Sequence, residues 1–286
     1  MCWDEIEVKT FRRAGVNIRY RLFKGDASAT PIVFVHGWAG SQDDWLSLFE
    51  NYCQQGITCL AYDAPGFGIS QFDSKIESRR ADFSIERYMG DLLALLDHLK
   101  LQRIRLVGHS WGGVVAMRFA ARYPDRISEL VVIGGAYYDP HNWIHFIFKW
   151  ISWVMVWLII AVKPLLRRYK RVRKFAVRRY TYQPLPEREA ELVMNDVICS
   201  DNRTLEKTLW SGYTVKFKEV CPAITSPTLY VSGKYDQVAP PMFVKPFVEM
   251  TPCSHYAELQ KCGHFPMQEI PERLIETLNN FWEKTK

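Results

Sequence analysis

Hydrophobic residues recur along this chain in two rhythms. Short alternating stretches at residues 5–11 and 17–23 predict an opening hairpin of strands. Continuous apolar or β-branched runs follow at residues 31–36, 57–63, 104–108, 130–134, 228–233 and 256–260, each bounded by turn residues. Such runs suit strands buried on both faces of a mostly parallel sheet. Between them, residues 42–53, 84–99, 111–123 and 271–284 carry apolar positions at helical spacing. Alternating strand and helix with short connections predicts an α/β fold, a mostly parallel eight-stranded sheet with helices on both faces. Neither an internal repeat nor a low-complexity linker is visible.

One stretch breaks the rhythm. About ninety residues separate the strand ending near Gly135 from the strand starting at Thr228, far more than a crossover helix needs. The expected organisation is one core domain, residues 1–136 and 214–286, with a helical cap at residues 137–213 inserted after the sixth strand. Within the cap, residues 143–162 are apolar almost all round. A helix without a polar face is either buried in a large core or in contact with lipid. Trp143, Trp150, Trp153 and Trp157, spaced seven, three and four apart, share one helical face. Twenty residues at about 1.5 Å each reach about 30 Å, the thickness of a bilayer's hydrocarbon.

Charge sharpens this picture. The chain has 286 residues and a formal net charge of +6, but nine of its 37 Lys and Arg residues fall between Lys163 and Tyr180, where no acid occurs. Without those nine, 28 basic residues face 31 acidic ones. The basicity is therefore local, with Tyr169, Phe175 and Tyr180 interleaved. Each Lys or Arg near an anionic bilayer adds about 1 kcal/mol of attraction, and apolar burial with a polybasic patch makes two signals. A single membrane crossing by residues 143–162 would separate residues that, as argued below, must meet. An interfacial, re-entrant or lid-like placement is expected instead. No nucleic-acid partner is expected, because no DNA- or RNA-binding module is recognisable. Seven scattered cysteines without a C-x-x-C pair favour reduced thiols in the cytosol. The acidic first seven residues lack an apolar signal core, so the expected location is cytoplasmic, peripherally or monotopically on a membrane.

The chemistry centres on Gly108-His109-Ser110-Trp111-Gly112-Gly113, directly after the apolar run at residues 104–107 and before a helical one. A strand turning sharply into a helix crowds its backbone, and glycine relieves the crowding. Ser110 is thereby pushed out at the sheet edge, beside helix N–H groups that favour developing negative charge. Ser110 is the candidate nucleophile.

With these residues in view, the chain resembles the α/β-hydrolases, the family of esterases, lipases, epoxide hydrolases and haloalkane dehalogenases. The resemblance covers about residues 15–136 and 214–284. It rests on His36-Gly37-Trp38 after the third strand, Asp63-Ala64-Pro65-Gly66-Phe67-Gly68-Ile69-Ser70, the serine elbow, Gly233-Lys234-Tyr235-Asp236 and Gly263-His264-Phe265-Pro266. It implies a Ser110–Asp236–His264 triad in the chain order Ser…Asp…His. His264 would take the serine proton, Asp236 would hold its tautomer, and the backbone N–H groups of Trp38 and Trp111 would bind the oxyanion. Asp139, just after the sixth strand, competes for the acid's role, because some relatives place the acid there. His36 is expected to brace its loop, His109 to point away from the serine, and Asp63 to fix its bend. His98, His141, His145 and His255 are expected to be structural or solvent-facing. Serine at the elbow sets the chain apart from branches with an aspartate nucleophile.

The expectation is a serine hydrolase of a lipophilic carboxylic ester at an anionic membrane surface, requiring neither metal nor organic cofactor. Thioester hydrolysis, acyl transfer or carbon–carbon cleavage would use the same triad. Non-catalytic ligand binding would leave the nucleophile unused.

Overall fold

In the computed structural model, which describes residues 3–136, 138–139 and 142–285, eight strands form one sheet. Cys2, Tyr137 and His141 lie outside the described residues. The strands are β1 (Val8–Arg13), β2 (Val16–Phe23), β3 (Ile32–Val35), β4 (Cys59–Tyr62), β5 (Ile104–His109), β6 (Ile127–Ile133), β7 (Thr228–Gly233) and β8 (Ser254–Leu259). Their order is β1-β2-β4-β3-β5-β6-β7-β8, with β2 antiparallel to both neighbours and every later pairing parallel. The helices are α1 (Leu46–Gln54), α2 (Lys75–Arg80), α3 (Ile85–His98), α4 (Trp111–Arg122), α5 (Trp143–Arg168), α6 (Lys170–Arg178), α7 (Glu187–Cys199), α8 (Asn202–Gly212), α9 (Phe217–Val220), α10 (Pro241–Met250), α11 (Pro266–Glu269) and α12 (Pro271–Lys284).

Strand periodicity divides the core between the two faces of the sheet. Val33, Val35, Leu106, Leu130 and Val132 join one cluster with α3 and α4. Their alternating neighbours Ile32, Phe34, Val107, Val131 and Ile133 join the other, with α1 and α12. Both faces are covered, which is why these strands read as continuous apolar runs.

Details differ from the sequence reading. The first strand starts at Val8, three residues later than expected, because residues 3–5 form a 3₁₀ turn that buries Trp3 edge-on against Phe49. Helices α2 and α10 escaped the periodicity reading. The first is a six-residue helix capped by Ser74, and the second contains Pro241 and Pro246, which read as turn residues.

Helices α5–α8 lie between β6 and β7, which are hydrogen-bonded neighbours. The chain therefore leaves and re-enters one sheet, and α5 does not separate its two ends. These helices have a small core of their own: Leu166, Val177, Ala190, Val193, Met194 and Ile198. Helix α5 runs on through Pro164 to Arg168. Its outer surface is bare: only 11% of its most apolar window is buried. Lys149, the only Lys or Arg among residues 143–162, turns inward over the Trp210 ring at 4.2 Å. The basic run is less free than its sequence implied. Lys163 is buried, donating to Ser200 O at 2.6 Å, and Arg173 donates to Leu166 O at 2.8 Å. Lys170 pairs with Glu191 and Lys174 with Glu187, both on α7.

Candidate active site

Ser110 joins β5 to α4 at φ 50°, ψ −118°. Positive φ is costly for a residue with a β-carbon, and such strain persists only where the surroundings over-determine it. Here the surroundings are the tightly packed strand and helix. A Cβ at Gly112 would lie 2.2 Å from His36 O, and one at Gly108 would lie 2.6 Å from Gly112 O. Ser110 N–H donates to Ile133 O at 2.7 Å, tying the turn to β6.

Asp236 follows β7 and His264 follows β8, so adjacent parallel strands deliver the two side chains together. His264 Nδ1–H donates to Asp236 Oδ2 at 2.7 Å, and both residues are buried. The proton on Nδ1 leaves Nε2 as the basic nitrogen. Asp236 Oδ1 accepts from the N–H groups of Val238 and Ala239, each at 2.8 Å. Burial alone would raise this carboxyl, but His264 and the two N–H donors overcome it and hold its pKa below the ordinary value. Among the described residues, Ser110 Oγ makes no hydrogen bond to His264; in resting sites this contact is often long and tightens when substrate binds. Asp139 does not approach His264 in this way, and is paired instead with Lys218 at 3.0 Å.

The loop after β3 holds Trp38. Neither the Trp38 nor the Trp111 N–H has a backbone acceptor among the described residues, which leaves both donors for an oxyanion. His36 braces this loop: Nδ1–H donates to Gly37 O at 2.7 Å, and Nε2 accepts from Ala64 N–H at 2.9 Å. Burial keeps His36 neutral, lowering its pKa to about 4. Asp63 accepts from Gln42 N–H at 2.7 Å and Ile69 N–H at 2.8 Å, clamping the bend.

His109 points away from the serine and reaches the base loop. Its Nε2–H donates to His264 O at 2.8 Å, and its ring centroid lies 4.7 Å from that of His264. Burial, and then the neighbouring His264, lower its pKa to about 3. This support was invisible in the sequence, because the partner is a backbone carbonyl 155 residues away. Among the other histidines, His145 accepts from Asp139 N–H at 2.9 Å, His98 stacks on Phe11, and His255 meets Phe281 edge-on.

Among the described residues, the ring contacts of the α5 tryptophans are with Phe146, Trp210 and one another. Trp143, Trp150 and Trp157 are 71%, 45% and 48% exposed, while Trp153 is half-buried between the rings of Trp150 and Trp157. A cavity of about 460 Å³ lies behind the base loop, between Asp43–Ser47 and Gln183–Leu192, and reaches neither Ser110 nor His264. Among the described residues no group of three or more His, Cys, Asp or Glu could hold a metal ion, and six cysteines are free thiols.

Comparison with known proteins agrees with this fold. A family model described as the α/β-hydrolase fold matches residues 30–159. An uncharacterised protein of Mycobacterium tuberculosis is 26% identical over 287 aligned residues, covering 93% of this chain and 79% of the relative. A cis-3-alkyl-4-alkyloxetan-2-one decarboxylase of Shewanella oneidensis is 25% identical, covering 91% and 84%. The solved structure of a membrane phospholipase A, a bacterial virulence factor, superposes with a TM-score of 0.76 at 22% identity, covering 98% of this chain and 86% of that one. With a serine at the elbow and an Asp–His pair after the last two strands, the chain has the α/β-hydrolase fold.

Proposed function

We propose that this chain is a serine hydrolase, carboxylesterase- or lipase-like, that cleaves lipophilic carboxylic esters at an anionic membrane surface. The observation that carries the chemistry is the buried His264–Asp236 pair beside a serine held at φ 50°. His264 Nε2 removes the Ser110 proton as Oγ attacks the acyl carbon. The Trp38 and Trp111 N–H groups receive the oxyanion, each such donor being worth about 3–4 kcal/mol in the transition state. Collapse breaks the ester C–O bond, and His264 passes its proton to the leaving alcohol. A water deprotonated by His264 then attacks the acyl-enzyme and releases the acid, restoring Ser110.

The lipid surface is supported by α5, whose Trp143, Phe146, Trp150, Ile151, Trp157 and Leu158 lie 45–71% exposed. A helix that merely roofed a pocket would turn these side chains inward. The relatives fit a lipophilic ester: one acts, by its name, on an alkyl-substituted oxetan-2-one, which is a cyclic ester, and a structural neighbour is a membrane phospholipase A.

Labelling by a fluorophosphonate tests the chemistry. Wild type should label at Ser110 and hydrolyse p-nitrophenyl esters, and Ser110→Ala should do neither while keeping its thermal transition. An unlabelled wild type would leave a non-catalytic binding protein as the better reading. Preferred turnover of thioesters or carbon–carbon substrates, or acyl transfer to an added alcohol in place of water, would replace the ester assignment.

A further inference from the structure

The residues that leave α6 touch both loops of the Asp–His pair. On the base side, His264 N–H donates to Tyr180 O at 2.9 Å. The fit is tight, since a Cβ at Gly263 would lie 2.7 Å from Tyr180 O. Tyr182 N–H donates to Glu269 Oε2 at 2.7 Å. The same carboxylate accepts from Gly263 N–H, 3.0 Å from each oxygen, and from Phe265 N–H at 3.2 Å. On the acid side, the Tyr182 ring stacks on Tyr235 with centroids 4.4 Å apart and planes at 24°, and Arg179 donates to Gln237 Oε1. Both chain neighbours of His264 and both chain neighbours of Asp236 are thus held by one short strap, residues 179–182, and by Glu269.

We propose that Glu269 and the strap, through Tyr182, are positioning residues for the Asp236–His264 pair. Neither is a catalytic residue, since neither touches the reacting atoms. Their leverage comes from the resting geometry. Ser110 Oγ and His264 are not hydrogen-bonded among the described residues, so the aim of Nε2 is set by the loop that carries the ring. Glu269 fixes the peptide groups on either side of that ring, with charge-assisted bonds stronger than neutral ones. The stacked tyrosines fix the distance from that loop to the acid's. A shift of about 1 Å in a reacting group costs on the order of a hundredfold in rate.

The test measures both turnover and the pair itself. It rests on the serine-hydrolase reading for turnover, whereas the far-downfield proton NMR signal of His264 Nδ1–H, assigned by its loss in Asp236→Asn, reads the pair whatever bond is cleaved. In Glu269→Gln one carboxylate oxygen becomes an NH2 donor and cannot satisfy all three N–H groups. We expect kcat to fall roughly 30- to 100-fold with KM within about twofold, and the downfield signal to move or broaden. Glu269→Asp should recover part of both. Tyr182 is 44% exposed, so Tyr182→Ala should fold normally. It should lose about five- to tenfold in kcat, and Tyr182→Phe should restore wild-type turnover and signal. Unchanged kcat and an unchanged signal in folded Glu269→Gln and Tyr182→Ala would overturn the proposal. Should Glu269→Gln fail to fold, the Ala–Phe comparison at Tyr182 decides alone. If wild type neither labels nor hydrolyses esters, the functional reading fails, and the downfield signal of the same variants still supports or overturns positioning.

Discussion

At Ser110 a backbone strain of about 1–3 kcal/mol is held in place by packing that admits only glycine at positions 108 and 112. The cost falls on the one side chain that must stand clear of the sheet. The neighbouring ionisable groups divide their work by partner. Asp236 spends one oxygen on His264 and the other on two N–H groups, so it can neither rotate nor readily protonate. Asp139 is engaged by Lys218. Asp236→Asn should therefore lower kcat/KM for a p-nitrophenyl ester by about 10³- to 10⁴-fold at neutral pH, because the amide favours the wrong histidine tautomer. Asp139→Asn should stay within about threefold. A large loss confined to Asp139→Asn would reassign the acid. The three triad candidates were legible because each follows a strand inside a local motif. His109 and Glu269 were not, because their partners are backbone groups that only the closed fold brings within reach. A sequence shows a side chain's chemistry but not which peptide it will meet.

Between elements, the joint of α7 with the loop after β3 gathers buried acids. Asp196 of α7 accepts from Ser41 Oγ at 2.8 Å, and Asp44 accepts from Gln268 Nε2 at 3.0 Å. Burial pushes Asp63 up to about 7 against the pull of its N–H donors, and Asp44 likewise to about 7; burial and the nearby Asp44 push Asp196 well above the ordinary range. A carboxyl whose folded pKa exceeds its unfolded value of about 3.9 binds more protons in the native state between the two values. Its contribution to stability is complete below about pH 4 and is lost as pH rises through the folded pKa, at up to about 1.4 kcal/mol per pH step for each group. Asp236, with its lowered pKa, has the opposite sign and loses its contribution as pH falls. Asn at position 196 retains an acceptor for Ser41 and cannot ionise. Thermal melts should show Asp196→Asn close to wild type near pH 4 and increasingly more stable towards pH 8. Parallel pH curves for the two proteins would refute a buried, raised Asp196. Legibility differed among the elements for related reasons. The central strands were readable because burial on both faces leaves an unbroken apolar run, whereas the prolines of α10 disguised a helix. The basic run read as free charge because Glu187 and Glu191, which neutralise part of it, lie on a separate helix.

Across the whole molecule, the proposed attachment to a membrane rests on the bare side of α5 and the remaining charges of α6. Arg171, Phe175 and Arg178, spaced four and three apart, share one face of α6, and Phe175 is 81% exposed. With Arg168 they are exposed cations and an aromatic ring with no ion pair among the described residues. Arg167 and Arg173, by contrast, donate to Ile198 O and Leu166 O, so reversing their charge would damage the cap as well as its surface. The informative variant is therefore Arg168→Glu, Arg171→Glu and Arg178→Glu together. At about 1 kcal/mol for each cation near an anionic bilayer, losing three attractions lowers affinity by at least roughly 100-fold, and the new acids add repulsion. Exposed charges are screened over about 10 Å at 0.1 M salt, so the difference should shrink as salt rises. In vesicle flotation, wild type should prefer anionic to neutral vesicles at low salt, and the triple variant should lose that preference while keeping the weaker, salt-insensitive binding that α5 supplies. Replacing Trp150 and Trp157 by Ser should remove that remainder, since both rings are half exposed and leave no large core void. A wild type that stays in solution with anionic vesicles at low salt would refute attachment. The exposed face of α5 would then call for a protein partner in place of a bilayer.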